Sequence, residues 1–589
     1  MKKNNVFYIM KKVIPLVFKM APVPLLINIL LGILHGGMWG AITIVQQHFF
    51  DAVSDYISQK ETLAVVIITL AIMIISYFIV HTLNGVDNCH AEVLQDYVNG
   101  KLGSVLQKKS SRLSAERFED ANCLDDINKA AEGKRNAVSF AFTIKDVLAF
   151  YVPYFAVMTW YLFTLKPILA LSTMLIFLPT VITHVVRSKV GIDIEEASAP
   201  IRRENKYYED CMTNREYYKE TRMLGAFRFF MRKYKRTLNE LNTFKFKGDM
   251  KTCRIEVGLK MVTVAGFCGI LWMLFSALLN SEITVGAFSA VFYSLTVLYV
   301  IMEEVVMFEI GGMSKNYGTI RNFIRFLDME EPEGEDVEVG WGDITLKNVD
   351  FSYPNSKEKV LNNVSLTWEK GKTIAIVGEN GAGKSTLVKI LTGLYPIKSG
   401  EGYINNINFK KLSRRSLSQQ KSAVFQNYQR YQMTLGENIK ISNLYEDRSE
   451  EDVNDICKKT GIDANDKEFE QGFDTVLSKE FGGVDVSGGL WQRIAIARSL
   501  YRESDYIVLD EPTAAIDPLE EARIYENFAD ITKQKSAIIV THRLGSVRLA
   551  DKIIVLKNGE VVESGTHSEL MELSGEYARL YESQRNLYQ

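Results

Sequence analysis

The sequence predicts two regions of different fold class, a membrane-spanning α-helical region followed by an α/β domain. Long apolar blocks fill the chain up to about residue 310. From Trp341 onward, short apolar runs alternate with polar stretches of helical character, as in a soluble α/β protein. The expected boundaries are 1–325 for the membrane region, 326–340 for a linker and 341–589 for the α/β domain.

Six apolar segments are long enough to cross a bilayer, whose core of about 30 Å takes roughly 20 helical residues. They run approximately over 14–45, 63–83, 147–165, 168–186, 257–279 and 285–308. Three prolines are expected to bend or break the start of the first segment: Pro15, Pro22 and Pro24. Further along this segment Gly32, Gly36 and Gly40 repeat every fourth residue, which predicts the close approach of another helix.

Lysine and arginine are distributed unevenly between the connections of the six segments. They concentrate at the N-terminus and in the long loops from about 84 to 140 and from about 187 to 254, whereas the connections on the other side hold Lys60 and Lys166. Cytoplasmic loops retain such residues. We therefore expect a multi-pass protein of the cytoplasmic membrane with both chain ends in the cytosol.

Composition excludes two other classes. The formal net charge is -2, and no basic tract is interleaved with aromatic residues, which argues against nucleic-acid binding. The six cysteines are widely scattered without a CxxC pair or a neighbouring histidine at ligand spacing, which argues against a metal site or a disulfide framework.

The α/β domain opens with a phosphate-binding loop. An apolar strand over 373–377 leads into Gly-rich sequence and then a helix, the order that such a loop requires. The glycines let backbone N–H groups surround a β-phosphate, Lys384 is expected to reach the β- and γ-phosphates, and Ser385 to ligate Mg²⁺. The nucleotide-binding residues predicted here are Gly378, Glu379, Asn380, Gly381, Ala382, Gly383, Lys384, Ser385 and Thr386.

A second apolar strand, over 506–509, ends in two adjacent acids. Asp510 is expected to hold Mg²⁺, and Glu511 to orient or polarise the attacking water. Together with the phosphate-binding loop, this pair predicts an ATP-hydrolysing site.

With these motifs in this order, the chain resembles the ATP-binding cassette exporters of the half-transporter type over nearly its whole length. The signature segment of that family, usually Leu-Ser-Gly-Gly-Gln, is present as Val486-Ser487-Gly488-Gly489-Leu490. The resemblance implies a six-helix membrane domain of the type I/type IV exporter fold followed by a P-loop ATPase domain. It also implies a dimer, because in this family Ser487, Gly488 and Gly489 of one subunit complete the ATP site of the other.

The same resemblance assigns roles to further residues. Tyr353 matches the aromatic residue that stacks on adenine, and Gln426 matches the glutamine that touches Mg²⁺ beside Ser385 and Asp510. Asp517 matches a dimer-contact loop, and His542 matches the histidine that senses the γ-phosphate. Two loop regions, 118–130 and 215–227, resemble the coupling helices of the family.

The function that these features imply is ATP-driven export of a peptide or an amphipathic small molecule, by alternating access in a dimer, with ATP and Mg²⁺ as cofactors. A lipid flippase, a multidrug exporter and a regulatory half of a heterodimer are the alternatives. A homodimer is favoured because Glu511 and His542 are intact, although Leu490, in place of the usual glutamine, is compatible with a heterodimer. Lys479–Gly483 and Trp491 resemble exporters associated with bacterial peptides.

Ionisable residues of the apolar segments receive a simpler interpretation. Glu303, Glu304 and Glu309 do not share one helical face, so a helix end extending into water is favoured over a cation-binding cavity. His35 and His81 are expected to be packed or interfacial rather than proton carriers.

Overall fold

The computed structural model describes residues 6–176, 178–214, 216–305, 311–332, 334–354, 356, 358–444, 448–511, 532, 534–541, 547–548 and 550–585. The chain divides into two compact units. The first comprises 1–110 and 126–329, and the second comprises 111–125 and 330–589.

The first unit is built from helices, two of which run on into the segment 111–125. In chain order they are α1 Val6–Met20, α2 Pro22–Ile57, α3 Leu63–Arg112, α4 Ala121–Asp146, α5 Val152–Leu165, α6 Pro167–Ile176, α7 Leu178–Thr213, α8 Tyr218–Met223, α9 Phe227–Leu279, α10 Val285–Glu304 and α11 Gly311–Leu327. A π-helical turn, Val147–Tyr151, joins α4 to α5.

Several of these helices are long and apolar enough to cross a membrane, which confirms the predicted helical membrane region. Within the described part of the chain, five stretches meet this condition: Pro22–Ile57, Leu63–Arg112, Asp126–Leu165, Phe227–Leu279 and Val285–Glu304. The fourth predicted segment, 168–186, falls on a shorter apolar stretch, Pro167–Thr183.

The start of the first apolar segment breaks where its prolines predict. Helix α1 ends at Met20 and α2 begins at Pro22, whereas Pro15 lies inside α1. Proline suits the first turn of a helix, because its missing N–H has no partner there in any case.

The glycine repeat of α2 packs against the π-helical turn and α5. A Cβ on Gly32 would lie 3.1 Å from the Cβ of Ala149, and one on Gly36 would overlap the carbonyl oxygen of Phe150. These glycines therefore allow α2 to approach another helix backbone closely, as the four-residue spacing predicts.

A carboxylate from α2 fixes the start of α10. The Gly286 N–H donates to Asp51 Oδ1 at 2.8 Å, and the Thr284 hydroxyl donates to Asp51 Oδ2 at 3.1 Å. Thr284 is also the N-cap residue, and its Oγ1 accepts the Ala287 N–H at 3.0 Å. Both side chains satisfy backbone donors that a helix leaves unpaired at its N-terminus.

The second unit contains two sheets. Its strands are β1 Ile344–Phe351, β2 Leu361–Trp368, β3 Thr373–Gly378, β4 Ser399–Ile404, β5 Ile407–Asn408, β6 Lys421–Val424, β7 Tyr506–Asp510, β8 Ser536–Val540, β9 Lys552–Lys557 and β10 Glu560–Gly565. One sheet is antiparallel with the order β2-β1-β4-β5. The other has the order β10-β9-β3-β8-β7-β6 and is parallel except for the β10–β9 pair.

Helices surround these sheets. They are α12 Lys384–Leu391, α13 Arg414–Ser418, α14 Leu435–Lys440, α15 Glu450–Thr460, α16 Gly488–Tyr501, α17 His567–Glu572 and α18 Glu576–Arg585. Every residue of β7 and β8 is buried. Such continuous apolar strands are typical of a parallel sheet covered on both faces.

Candidate active site

The phosphate-binding loop joins β3 to α12, as predicted from its motif. Gly383 is the N-cap residue of α12 and has a φ of +99°, a conformation that favours glycine. A Cβ at this position would also lie 2.8 Å from the carbonyl oxygen of Val360. The chain can therefore enter the helix here because residue 383 is glycine, and the helix N-terminus beyond it favours an anion.

Lys384 turns back toward its own loop. Its Nζ donates to the carbonyl oxygens of Gly378 and Glu379, each at 3.0 Å. Burial lowers the pKa of Lys384, and the nearby charges of Glu511 and Asp510 oppose that effect. The ammonium group is thus held beside the loop that precedes it, close to two carboxylates.

Ser385, Gln426, Asp510 and Glu511 meet at one edge of the parallel sheet. The Ser385 hydroxyl donates to Asp510 Oδ1 at 3.2 Å, and Gln426 Nε2 donates to Glu511 Oε2 at 2.6 Å. β7 ends at Asp510, and its neighbour β6 ends two residues before Gln426. The carboxyl ends of parallel strands share an edge, which is where open α/β sheets bind ligands.

Burial perturbs both acids of this group. It raises the pKa of Asp510 to about 6, against the hydrogen bond from Ser385 and the charge of Lys384, with Glu511 adding to the rise. It also raises the pKa of Glu511, against the charge of Lys384 and the hydrogen bond from Gln426. Perturbed acids at a sheet edge are typical of catalytic and metal-binding sites.

Glu511 adopts a backbone conformation that is unusual for a side-chain-bearing residue. Its φ is +50°, and its N–H donates to the carbonyl oxygen of Val540 in β8 at 2.9 Å. Left-handed backbone costs roughly 1–2 kcal/mol outside glycine. Backbone strain of this kind concentrates at functional sites.

Tyr353 lies beside the first turn of α12. Its hydroxyl is 3.0 Å from Oγ1 of Thr386. Its half-buried ring stands edge-on to the ring of Tyr395, with the centroids 6.0 Å apart. The predicted adenine-stacking residue is therefore next to the last residue of the predicted phosphate-binding stretch.

The segment 111–125 contacts the same helix through a group of side chains that the sequence did not reveal. The Tyr395 hydroxyl donates to Glu119 Oε1 at 2.5 Å, and Lys389 Nζ donates to both, at 3.0 Å to Tyr395 and 3.3 Å to Glu119. The bond from Tyr395 lowers the pKa of Glu119 most, with Lys389 contributing and burial opposing. Lys389 lies on α12, so this segment, part of which resembles a coupling helix, connects to the helix that follows the phosphate-binding loop.

A further contact of the phosphate-binding loop was not predicted from the sequence. Arg579 of α18 pairs with Glu379 at 2.5 Å and with Glu576 at the same distance. The pairing joins residues 200 positions apart, so no local pattern signals it.

The signature segment begins α16. Ser487 is its N-cap residue, with Oγ accepting the Leu490 N–H at 3.2 Å. A Cβ built on Gly488 or Gly489 would meet nothing within 4 Å. Leu490 packs against an apolar cluster that includes Trp491 and Ile494, which gives its apolar side chain a structural role.

Two predicted site residues, Asp517 and His542, lie outside the described residues, as do Arg215 of the second coupling region and Glu309. Of the other predicted residues, the structure brings Ser385, Gln426, Asp510 and Glu511 together around Lys384.

Residues 361–514 match the sequence model of the family described as ABC transporter. That span runs from β2 through the phosphate-binding loop and the signature segment to the two acids. This stretch is therefore an ABC transporter domain. The expected ATP-driven exporter, with its membrane and ATP-binding domains fused in one chain, is confirmed.

The sequence is similar to those of three bacterial transport proteins. It is 28% identical to the subtilin transport ATP-binding protein SpaT of Bacillus subtilis over 557 residues, 90% of this chain and 89% of that one. Over 245 residues, 41% of each chain, it is 35% identical to the nisin transport ATP-binding protein NisT of Lactococcus lactis subsp. lactis. Over 313 residues, 53% of each chain, it is 32% identical to the ATP-dependent lipid A-core flippase of Haemophilus ducreyi.

A solved structure supports the fold over the whole chain. A bacterial Atm1-family ABC exporter with ATP bound superposes with a TM-score of 0.78 at 21% identity, covering 97% of this chain and 99% of that one. The predicted exporter fold is thereby confirmed.

Proposed function

We propose that this ABC exporter uses ATP hydrolysis to move a peptide or an amphipathic small molecule out across the cytoplasmic membrane. The observation that carries the ATP chemistry is the meeting of Ser385, Gln426, Asp510 and Glu511 beside Lys384. Peptide cargo is favoured because the similarity to the subtilin transport protein extends over 90% of the chain.

The site residues suit a magnesium nucleotide. A serine hydroxyl, a carboxylate and an amide offer oxygen ligands, which Mg²⁺ prefers, so Ser385, Asp510 and Gln426 would hold it. Mg²⁺ would supply charge neutralisation on the phosphates. Glu511, held by Gln426 and with its pKa raised by burial, orients the attacking water and accepts its proton.

The remaining residues of the motif bind the nucleotide. Gly378–Thr386 surround the phosphates with backbone N–H groups, Lys384 leaves its two carbonyl partners to reach the β- and γ-phosphates, and Tyr353 stacks on adenine. His542 contacts the γ-phosphate, and Asp517 lies in a dimer-contact loop.

A dimer completes each site in this proposal. Ser487, Gly488 and Gly489 of one subunit close over the phosphate-binding loop of the other, which suits the open space around both glycines. Binding of ATP then favours the closed dimer and hydrolysis releases it, a two-state cycle that alternates access across the membrane. A homodimer is favoured, with a heterodimer as the alternative.

The domain boundaries and orientation belong to the same proposal. We assign 1–325 to the membrane domain, 326–340 to a linker and 341–589 to the ATP-binding domain. The N-terminus and the ATP-binding domain lie in the cytosol, because lysine and arginine concentrate at the N-terminus and in the two long loops.

A lipid flippase is the second candidate, because the flippase of Haemophilus ducreyi is 32% identical over about half of each chain.

One experiment distinguishes a peptide exporter from a lipid flippase. The full chain is reconstituted into vesicles of phosphatidylethanolamine and phosphatidylglycerol, and ATPase activity is measured with nisin, with subtilin and with fluorescent lipid analogues. We expect peptides to stimulate hydrolysis and to enter inside-out vesicles in an ATP-dependent manner. Lipid movement without peptide uptake would instead establish the flippase.

A further inference from the structure

Five polar side chains lie together inside the helix bundle of the first unit, and the ATP chemistry uses none of them. Asn28 and His35 belong to α2, Asp87 to α3, and Lys145 and Asp146 to the end of α4. Asn28, His35, Asp87 and Lys145 are 0%, 5%, 5% and 8% exposed. Ionisable groups buried to this extent in a membrane protein are costly and mark functional sites by default.

A continuous series of contacts joins the five residues, which are here called the inner cluster. Lys145 Nζ is 2.5 Å from Asp146 Oδ1 and donates to Asn28 Oδ1 at 2.8 Å. Asn28 Nδ2 donates to Asp87 Oδ1, also at 2.8 Å. The other carboxylate oxygen of Asp87 lies 3.5 Å from Nδ1 of His35. The order is therefore Asp146, Lys145, Asn28, Asp87, His35.

The formal charges of the inner cluster do not balance while His35 is neutral. Lys145 pairs directly with Asp146, whose side chain is about a third exposed, whereas Asp87 receives a neutral amide from Asn28. The Asp87 side chain is 8% exposed. A buried carboxylate without a cation in direct contact is expensive, so one further positive charge at the His35 end stabilises the cluster.

Among the described residues, His35 is the ionisable group that the structure places against the free oxygen of Asp87. Both ring nitrogens are buried, and neither has a hydrogen-bond partner within the described part of the chain. Histidine is the side chain whose charge changes between about pH 5 and pH 8. A proton on Nδ1 would be donated toward Asp87, turning a 3.5 Å approach into a charge-assisted hydrogen bond.

The other charged groups near α2 do not serve the same purpose. On α3, His81 meets Trp39 rather than His35. On α10, which packs against α2 through Thr43 and Ser294, Glu303 pairs with Lys260 and Glu304 is exposed. On α4, Lys145 is already paired with Asp146.

The surroundings of His35 connect the inner cluster to the π-helical turn between α4 and α5. Its ring contacts that of Phe150, with the centroids 4.5 Å apart, and Phe150 belongs to the π-helical turn between α4 and α5. Gly36 approaches the backbone of the same residue closely. Single π-helical turns occur frequently at functional sites.

We propose that the inner cluster is a proton-binding site, in which one proton is shared between His35 and Asp87 and holds α2 to α3 beside the π-helical turn. The sequence favours packing as the role of His35. Packing explains why His35 is buried but does not explain why its ring lies against the Asp87 carboxylate. The site is independent of which cargo the exporter carries.

The test measures the thermal unfolding midpoint of the full chain in lipid nanodiscs at pH 5.5 and pH 8.0, without nucleotide or cargo. A proton bound to the folded cluster stabilises it as the pH falls. The parent chain is therefore expected to gain roughly 2–4 °C relative to His35→Gln on going from pH 8.0 to pH 5.5. Asp87→Asn should remove the same pH-dependent part, and combining both substitutions should remove no more.

His48→Gln is the matched control, because His48 is an exposed histidine of the same helix. It should keep the parental pH dependence. If His35→Gln also keeps it, or if the midpoint follows sodium at constant pH instead of protons, the proposal is wrong. Should His35→Gln fail to fold, Asp87→Asn still decides, because retention of the full pH dependence in that variant contradicts a shared proton.

Discussion

Two buried lysines in this exporter have carboxylates for neighbours, and they are used differently. Lys384 of the ATP site donates to two backbone carbonyls, with Asp510 and Glu511 nearby, and its loop is open to solvent at Gly381. Lys145 of the inner cluster donates to one amide side chain and pairs with one carboxylate inside a helix bundle.

The comparison shows how the surroundings decide what a buried charge can do. The Lys384 ammonium group can leave its two backbone carbonyl partners when a phosphate enters, because the phosphate binds the loop N–H groups and the helix N-terminus beside it. Lys145 instead contacts the side chain of its neighbour Asp146 on α4 and that of Asn28 on α2, so a change in the charge of this group alters the packing between helices. The first group is suited to binding a nucleotide, and the second to responding to a proton.

The largest effect is expected at the ATP site. Glu511→Gln should lower ATP turnover by more than about 100-fold while leaving ATP affinity nearly unchanged, because the substitution removes the proton acceptor and keeps the size of the side chain. Steady-state hydrolysis and equilibrium nucleotide binding check this in the purified chain. Glu503→Gln, which alters an exposed carboxylate paired with Arg448, should leave both unchanged. Unchanged turnover in Glu511→Gln would reject Glu511 as the catalytic residue.

The next effect tests the helix packing on which the membrane unit depends. Gly36→Ala should lower stability by about 1–3 kcal/mol, because the added methyl group overlaps the Phe150 carbonyl and the two backbones must move apart. Gly37→Ala is the matched control, since a Cβ there meets nothing within 4 Å. It should be neutral or slightly stabilising, as alanine favours helix. Equal thermal unfolding midpoints for the two variants would contradict the close approach.

The difference between the two regions also explains how far the sequence could be interpreted. The ATP site was predictable because each of its parts is local: a strand, a glycine-rich loop and a helix in one stretch, and two acids at the end of another strand. Hydropathy likewise predicted the apolar helices, and glycine spacing predicted the close face of α2.

The inner cluster could not be predicted in the same way. Its members come from three helices, with Asn28 and Asp87 separated by 59 positions and Asn28 and Lys145 by 117. Each alone is an ordinary polar residue within or beside an apolar segment. The contact of Tyr395 with Glu119 is equally non-local, because the two residues are 276 positions apart in the sequence. The region around Glu119 was therefore recognisable from its resemblance to a coupling helix, whereas its contact with Tyr395 was not.

A tenfold effect of pH is expected on magnesium-dependent nucleotide binding. Burial raises the pKa of Asp510 to about 6, so a proton competes with Mg²⁺ for this carboxylate below that pH. Mg–ATP affinity, measured in Glu511→Gln to prevent hydrolysis, should fall about tenfold from pH 7 to pH 5. Without Mg²⁺, the folding stability should instead increase as the pH falls. The reason is that Asp510 in the folded chain binds a proton more tightly than an exposed aspartate does in the unfolded chain.

Two outcomes would contradict this assignment. The first is a pH profile of Mg–ATP affinity that remains flat between pH 7 and pH 5. The second is a profile that survives in Asp510→Asn, which removes the titrating group while retaining a side chain of similar size.

The smallest effect concerns the group around Tyr395. Tyr395→Phe keeps the ring that stacks on Phe351 and removes the hydroxyl that donates to Glu119 and accepts from Lys389, so we expect a loss of about 1 kcal/mol in stability. Tyr403→Phe is the control, because it removes an exposed hydroxyl that bonds Glu401 two residues away. The effect should appear in the thermal unfolding midpoint and leave ATP affinity unchanged, since phenylalanine keeps the ring that contacts Tyr353. If Tyr403→Phe lowers the midpoint as much as Tyr395→Phe, the group contributes no more than a surface hydrogen bond, and the segment 111–125 is held by apolar contacts such as that of Ala115 with the core.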